Sequence, residues 1–200
     1  WIGTQNGINK VNIASSKFRT YQLIPAHASD IHDENSVSAI IEDHTGDIWL
    51  GNSGSVVHGN PRGGLYQFNP ETKKITSTPI QQTGLSDNHV LTIYEDRNQQ
   101  LWVGTATALH LFNRETGKFE AYSCTIPIRD IALDESGKVW IGGKTGLGVF
   151  DQDKEKFTYY RYNPQDTTGL KGLFVNDVLI GKDGNIWAGT SSGLACLDPE

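Results

Sequence analysis

One short phrase, an apolar residue, Trp, a small or apolar residue and then Gly, recurs along this chain and constrains its fold more than any other feature. It reads Ile48-Trp49-Leu50-Gly51, Leu101-Trp102-Val103-Gly104, Val139-Trp140-Ile141-Gly142 and Ile186-Trp187-Ala188-Gly189, and the chain opens on Trp1-Ile2-Gly3. All five tryptophans stand in it, each with glycine two residues on (Gly3, Gly51, Gly104, Gly142, Gly189). In an extended strand, residues two apart share a face, so each indole shares a face with its glycine. Repetition at a period of tens of residues signals stacked identical units.

The flanks repeat too. Apolar pairs precede each Trp: Val37 and Ile40, Val90 and Ile93, Ile128 and Ile131, Val175 and Val178. Next come Asp43, Asp96 or Asp134, then Gly46, Gly137 or Gly184. An Asp-x-x-Gly between two β-rich runs predicts a tight hairpin, in which Asp caps turn amides and Gly takes the positive φ. Gly181 stands where Asp is expected and Gln99 where Gly is expected, so those two turns are expected to be looser. After the Trp strand come further strands at Ile8–Val11, Leu65–Phe68, Leu109–Phe112, Leu147–Phe150 and Leu194–Leu197, then short ones opening at Phe18, Ile75, Phe119 and Phe157. The unit is four short antiparallel strands, A to D, and no stretch has helical periodicity over a useful length.

Four-stranded units at this period predict an all-β chain, a β-propeller in which each unit is a blade. One such sheet cannot hide both faces, so blades must stack. The indole is expected to fill the gap to the next blade, with the neighbouring glycine leaving room for it. Burying about 150 to 250 Å² per Trp stabilises by roughly 4 to 6 kcal/mol before entropy is subtracted. Exposed sugar-stacking platforms are the alternative role for these rings. The strands amount to an arc of four to five blades: 1–25 (partial), 35–80, 88–122, 126–162 and 173–200 (partial). With no initiator Met and a start inside a repeat, the chain is read as a piece of a larger propeller.

Composition narrows the function. A net charge of -6 without a Lys/Arg run argues against a nucleic-acid surface or an anionic membrane. No apolar segment approaches the roughly 18 residues of a membrane span, and no signal peptide is visible. Cys124 and Cys196 fall in non-adjacent repeats and are read as buried or idle thiols. No catalytic, phosphate-cradling or zinc motif occurs, so no cofactor, metal or catalytic residue is expected. Asp151-Gln152-Asp153-Lys154-Glu155 has Lys156 where a calcium loop needs Gly, and reads as an acidic hairpin tip.

Loop lengths point to one face. A-to-B and C-to-D turns keep their length, whereas the D-to-A connections and the B-to-C insertion near 53–63 vary, all on one side of the disc. Free-to-vary loops on a rigid scaffold are where binding residues collect. His27, His32, Asn35, His58, Asn60, Arg62, Asn88, His89, Arg161 and Tyr162 map there. They suit a pocket for a hydroxyl-rich or carboxylate-bearing ligand, with Tyr as a stacking surface; the plainer account is that loops are polar. The histidines lack the spacing of a metal site.

The string Val37-x-x-Ile40-x-Glu42-Asp43-x-x-Gly46-x-Ile48-Trp49-x-Gly51, followed by Gly64-Leu65-Tyr66-x-Phe68-Asn69-Pro70, resembles the two-component regulator propeller repeat. Residues 90–113 and 128–151 match it nearly as well. The resemblance implies the periplasmic half of an inner-membrane hybrid histidine kinase of the kind common in gut Bacteroidetes, sensing oligosaccharides to regulate polysaccharide-utilisation genes. It also implies seven-bladed propellers, an immunoglobulin-like domain, one membrane span, kinase and regulator modules in the same chain, and a homodimer. Two rivals are a non-kinase propeller of secretion or cell-surface assembly and a metal-dependent propeller lyase.

Overall fold

The structure, a computed structural model, describes residues 1–4, 7–12, 17–23, 36–53, 63–78 and 80–199. The first sheet holds β1 (Ile2–Thr4), β2 (Gly7–Asn12) and β3 (Lys17–Tyr21). The second holds β4 (Ala39–Glu42), β5 (Ile48–Asn52), β6 (Gly64–Phe68) and β7 (Ile75–Thr78). A single helical turn, α1 (Ile80–Thr83), leads to β8 (Val90–Glu95), β9 (Leu101–Thr105), β10 (Ala108–Asn113) and β11 (Lys118–Ser123). The fourth sheet is β12 (Ile128–Leu133), β13 (Val139–Gly143), β14 (Gly146–Asp151) and β15 (Lys156–Tyr160). The fifth is β16 (Val175–Ile180), β17 (Ile186–Thr190) and β18 (Gly193–Leu197). Within every sheet, chain neighbours pair antiparallel. The first strands of successive sheets meet across each seam, β4 on β8, β8 on β12 and β12 on β16, so they converge on the inside of the arc.

The hairpin aspartates do more than cap. Asp43 Oδ1 accepts the N–H groups of Thr45 (2.9 Å) and Asp47 (3.2 Å), while Oδ2 accepts the Trp49 indole N–H at 2.8 Å. Asp96 and Asp134 take the indole N–H groups of Trp102 (3.1 Å) and Trp140 (2.8 Å) in the same way. Each carboxylate therefore satisfies the one polar atom that an otherwise apolar ring would bury unpaired. Burial works against the charged form of Asp43. Donors from Thr45, Trp49 and Arg114 outweigh it and bring the pKa down to about 2. Arg114, on the β10–β11 turn, reaches across the seam to Asp43 at 3.0 Å and also holds Glu95 at 2.8 Å.

The two turns expected to be looser are not. Gln99 adopts φ 63°, beside 86°, 85° and 84° at Gly46, Gly137 and Gly184. Its N–H bonds Asp96 O at 2.9 Å, as Gly184 N–H bonds Gly181 O at 3.0 Å. Backbone hydrogen bonds close the turn whichever side chain is present. A left-handed non-glycine residue costs about 1 kcal/mol. Gln99→Gly should accordingly raise the unfolding free energy by up to about 1 kcal/mol in denaturant melts; a loss of stability would show that no strain resides there.

Indoles bridge the seams, as expected. Trp49 packs with Leu85, Val90, Ile93 and Phe119 of the third unit, and its ring centroid lies 5.2 Å from Phe112. Trp102 packs with Ile126, Ile128 and Phe150 of the fourth, and Trp140 with Val175, Val178 and Ile186 of the fifth. Trp1 lies edge-on to Phe68 at 5.3 Å. Trp187, on the last sheet, is half-buried.

The role assigned to the glycines needs correction. The room they leave is filled by the first apolar residue of the next sheet and not by the indole. A Cβ at Gly3, Gly51, Gly104 or Gly142 would lie 2.8, 2.6, 2.6 or 2.7 Å from Val37, Val90, Ile128 or Val175. At Gly189 the nearest atom is Asp177 Cβ at 3.6 Å, and among the described residues no further sheet lies against it.

Each inner strand also carries one extra residue opposite that glycine. The register shifts between Val90 and Thr92, Ile128 and Asp130, and Val175 and Asp177, with Thr92, Asp130 and Asp177 facing Gly104, Gly142 and Gly189. In the second sheet Ala39 pairs with Gly51, and Ser38 N–H also bonds Gly51 O at 2.9 Å. These are β-bulges, which bend a strand and re-aim its side chains. Ser38 Oγ donates to Val90 O (2.6 Å), and Arg129 donates to Asn176 Oδ1 (3.2 Å), each across a seam.

Candidate functional site

The D-to-A and B-to-C connections share one face, and of the residues expected there Asn88, His89, Arg161 and Tyr162 are described. His27, His32, Asn35, His58, Asn60 and Arg62 lie outside the described residues. The four that are described form two groups.

The first group rides on the loop between α1 and β8. Asp87 Oδ1 accepts the N–H of His89 at 3.0 Å and its Nδ1–H at 2.8 Å, while Oδ2 accepts Thr107 Oγ1–H at 3.3 Å. Burial opposes the Asp87 carboxylate, but the His89 donors prevail and lower its pKa. A carboxylate on Nδ1 fixes the ring's orientation and leaves Nε2 as the nitrogen a ligand can meet. The His89 side chain is 39 % exposed. Asn88 Oδ1 lies 3.8 Å from where a Gly64 Cβ would stand, so this loop leans toward the second sheet.

Beneath it sits a residue that loop reasoning missed. His110, on β10, is fully buried. Its Nε2 accepts Ser86 N–H at 3.1 Å and Ser86 Oγ–H at 2.9 Å, and its Nδ1–H points to Val103 O at 3.3 Å. Burial pushes its pKa down to about 4, so the ring is neutral at pH 7. The available signal was a lone histidine inside the apolar run Leu109-His110-Leu111-Phe112.

The second group stands over the fourth sheet. Arg161 donates to Thr125 Oγ1 at 2.6 Å, and its guanidinium lies 5.4 Å from the centroid of the Tyr159 ring. Tyr159 OH accepts Thr125 N–H at 3.2 Å. Arg161 is thus engaged in holding the short 123–125 connection. Tyr162, the next residue, is 40 % exposed, and Phe174, on the connection leading into β16, is 43 % exposed. The partners of Arg161 are Thr125 and Tyr159, not His89, so the structure does not merge the two groups.

Among the described residues no group of three His, Cys, Asp or Glu is placed to hold a metal ion. Both cysteines are free. Cys196 and Leu197 line, with Leu147, Tyr160 and Leu170, a small, largely apolar cleft between the fourth and fifth sheets. Thr168 adds a hydroxyl to its lining.

Radially packed, antiparallel four-stranded sheets joined by indole wedges define a β-propeller. Three segments, residues 32–54, 84–107 and 169–192, match the two component regulator propeller model. "Histidine kinase P4" of Formosa agariphila is 34% identical over 114 residues, 56% of this chain and 8% of that protein. The extracellular domain assigned to the hybrid two component system BT4673 of B. thetaiotaomicron superposes with a TM-score of 0.79 at 22% identity, covering 98% of this chain and 25% of that one. That of the BT3049 system gives 0.75 at 24% identity, covering 100% and 25%. The chain spans a quarter or less of these relatives' lengths.

Proposed function

We propose that this arc is part of the extracytoplasmic sensor propeller of a hybrid two-component histidine kinase, and that it binds an oligosaccharide on its variable face. The match of three repeats to the regulator propeller model carries this reading, and the likeness to a histidine kinase and to two extracellular sensor domains supports it. The segment itself acts by binding. Kinase activity, membrane anchoring, homodimerisation and control of polysaccharide-utilisation genes belong, in this reading, to the longer protein. The local chemistry suits hydroxyl-rich ligands. His89 Nε2 offers a directional polar contact held by Asp87, and Tyr162 and Phe174 are exposed faces on which a sugar ring can stack.

Calorimetric titration of the complete propeller region with a panel of oligosaccharides tests this. Saturable heat with one glycan, weakened about tenfold by His89→Ala or by Tyr162→Ala, is the expected result. No heat with any glycan sinks the carbohydrate reading.

A further inference from the structure

We propose that His110 is a positioning residue for the variable face, locking the 84–89 loop through Ser86 so that the Asp87–His89 pair is presented in one orientation. The inference rests on the reading that this face binds ligand. Its geometric basis is independent of that reading. Ser86 presents both its N–H and its hydroxyl to one imidazole nitrogen, at 3.1 and 2.9 Å. The ring that receives them is fully buried in β10 and anchored on the far side by Val103 O of β9. Asp87 and His89 follow directly in the chain. Loop backbone otherwise lacks a ladder, so a buried acceptor under Ser86 sets where the next three side chains stand.

The lock works in one protonation state. Nε2 accepts the Ser86 N–H only while its lone pair is free, and protonation would turn it into a donor facing that amide, leaving only the hydroxyl able to turn round and accept. Few charged or titratable groups face the ring. From the loop above, the Asp87 carboxylate favours the imidazolium. From β9 comes a carbonyl, and from β11 the ring of Phe119, edge-on at 6.3 Å. Burial dominates and keeps the ring neutral until about pH 4. The imidazole gains a proton below that point, so the lock is present above about pH 4 and weakens as pH falls through it.

Amide exchange of this chain, followed residue by residue by NMR between pH 6 and 3.5, provides the test. The Ser86 and His89 amides should be protected at pH 6, with protection falling about tenfold per pH unit below about 4. Amides of β9 should stay protected throughout. In His110→Gln, whose side-chain carbonyl accepts but does not titrate, loop protection should persist and lose its pH step. In His110→Phe it should be low at every pH. Ser86→Ala, which leaves the core untouched, should lower loop protection by a fewfold and so keeps the proposal open to failure if His110→Phe does not fold. Unchanged loop protection in His110→Phe or Ser86→Ala, a pH step that survives in His110→Gln, or joint loss of loop and β9 protection would overturn the role. Glycan titrations on the same variants separate the two readings. Loop protection that depends on His110, with no glycan bound by any form, removes only the sensor reading. Glycan binding with loop protection indifferent to His110 removes only the positioning role.

Discussion

Trp102→Ala is expected to destabilise the chain by about 3–5 kcal/mol, the usual cost of deleting a large aromatic side chain from a packed core. The indole is fully buried and closes the seam between the third and fourth sheets, against Ile126, Ile128 and Phe150. Its removal also strips Asp96 Oδ2 of the donor it holds at 3.1 Å. Two losses, a cavity and an unpaired buried acceptor, add at one position. Trp187→Ala should cost distinctly less, since that ring is half-buried on the last sheet and Gly181 stands where the other hairpins have the aspartate. Urea melts followed by far-ultraviolet circular dichroism read both. A cost under about 1 kcal/mol for Trp102→Ala, or equal costs for the pair, would mean that indoles do not carry the seams.

Adding one methyl group should also do damage. A Cβ at Gly104 would lie 2.6 Å from both Ile128 Cγ2 and Thr92 Cγ2, and 2.9 Å from Ile128 Cβ. These are branched carbons on two different inner strands, and neither can swing away without moving its backbone. Gly104→Ala should therefore cost about 1–3 kcal/mol by overpacking. Gly189→Ala is the matched control. Its site is open, and replacing a strand glycine removes backbone freedom from the unfolded chain, so stability should hold or rise by about 0.5–1 kcal/mol. Equal melts for the two variants would refute the packing assigned to these glycines.

Much of this was legible in the chain itself because it is periodic. The Trp-x-Gly phrase and the Asp-x-x-Gly hairpins located strands and turns, since both signals are local. What the glycines make room for was read wrongly, because their partners Val90, Ile128 and Val175 come from the next repeat, a contact no local pattern encodes. Gln99 misled for the opposite reason: propensity argued for a looser turn, and the ladder of backbone hydrogen bonds overrode it. At the candidate site, loop-length reasoning named Asn88 and His89 and left His110 unnamed. A buried histidine in a strand looks like core until the loop that rests on it is seen. Arg161 reads from sequence as free for ligand, yet Thr125 and Tyr159 already use it.

The bulges on the inner strands have a consequence for how such an arc of sheets can diversify. Ser38, Leu91, Arg129 and Asn176 are supernumerary in the ladder, and the cross-seam contacts of Ser38 with Val90 O and of Arg129 with Asn176 are polar ones, set apart from the apolar wedges that close each seam. Those polar contacts can change one sheet at a time, while the buried indoles and the close-packed glycines between sheets stay as they are.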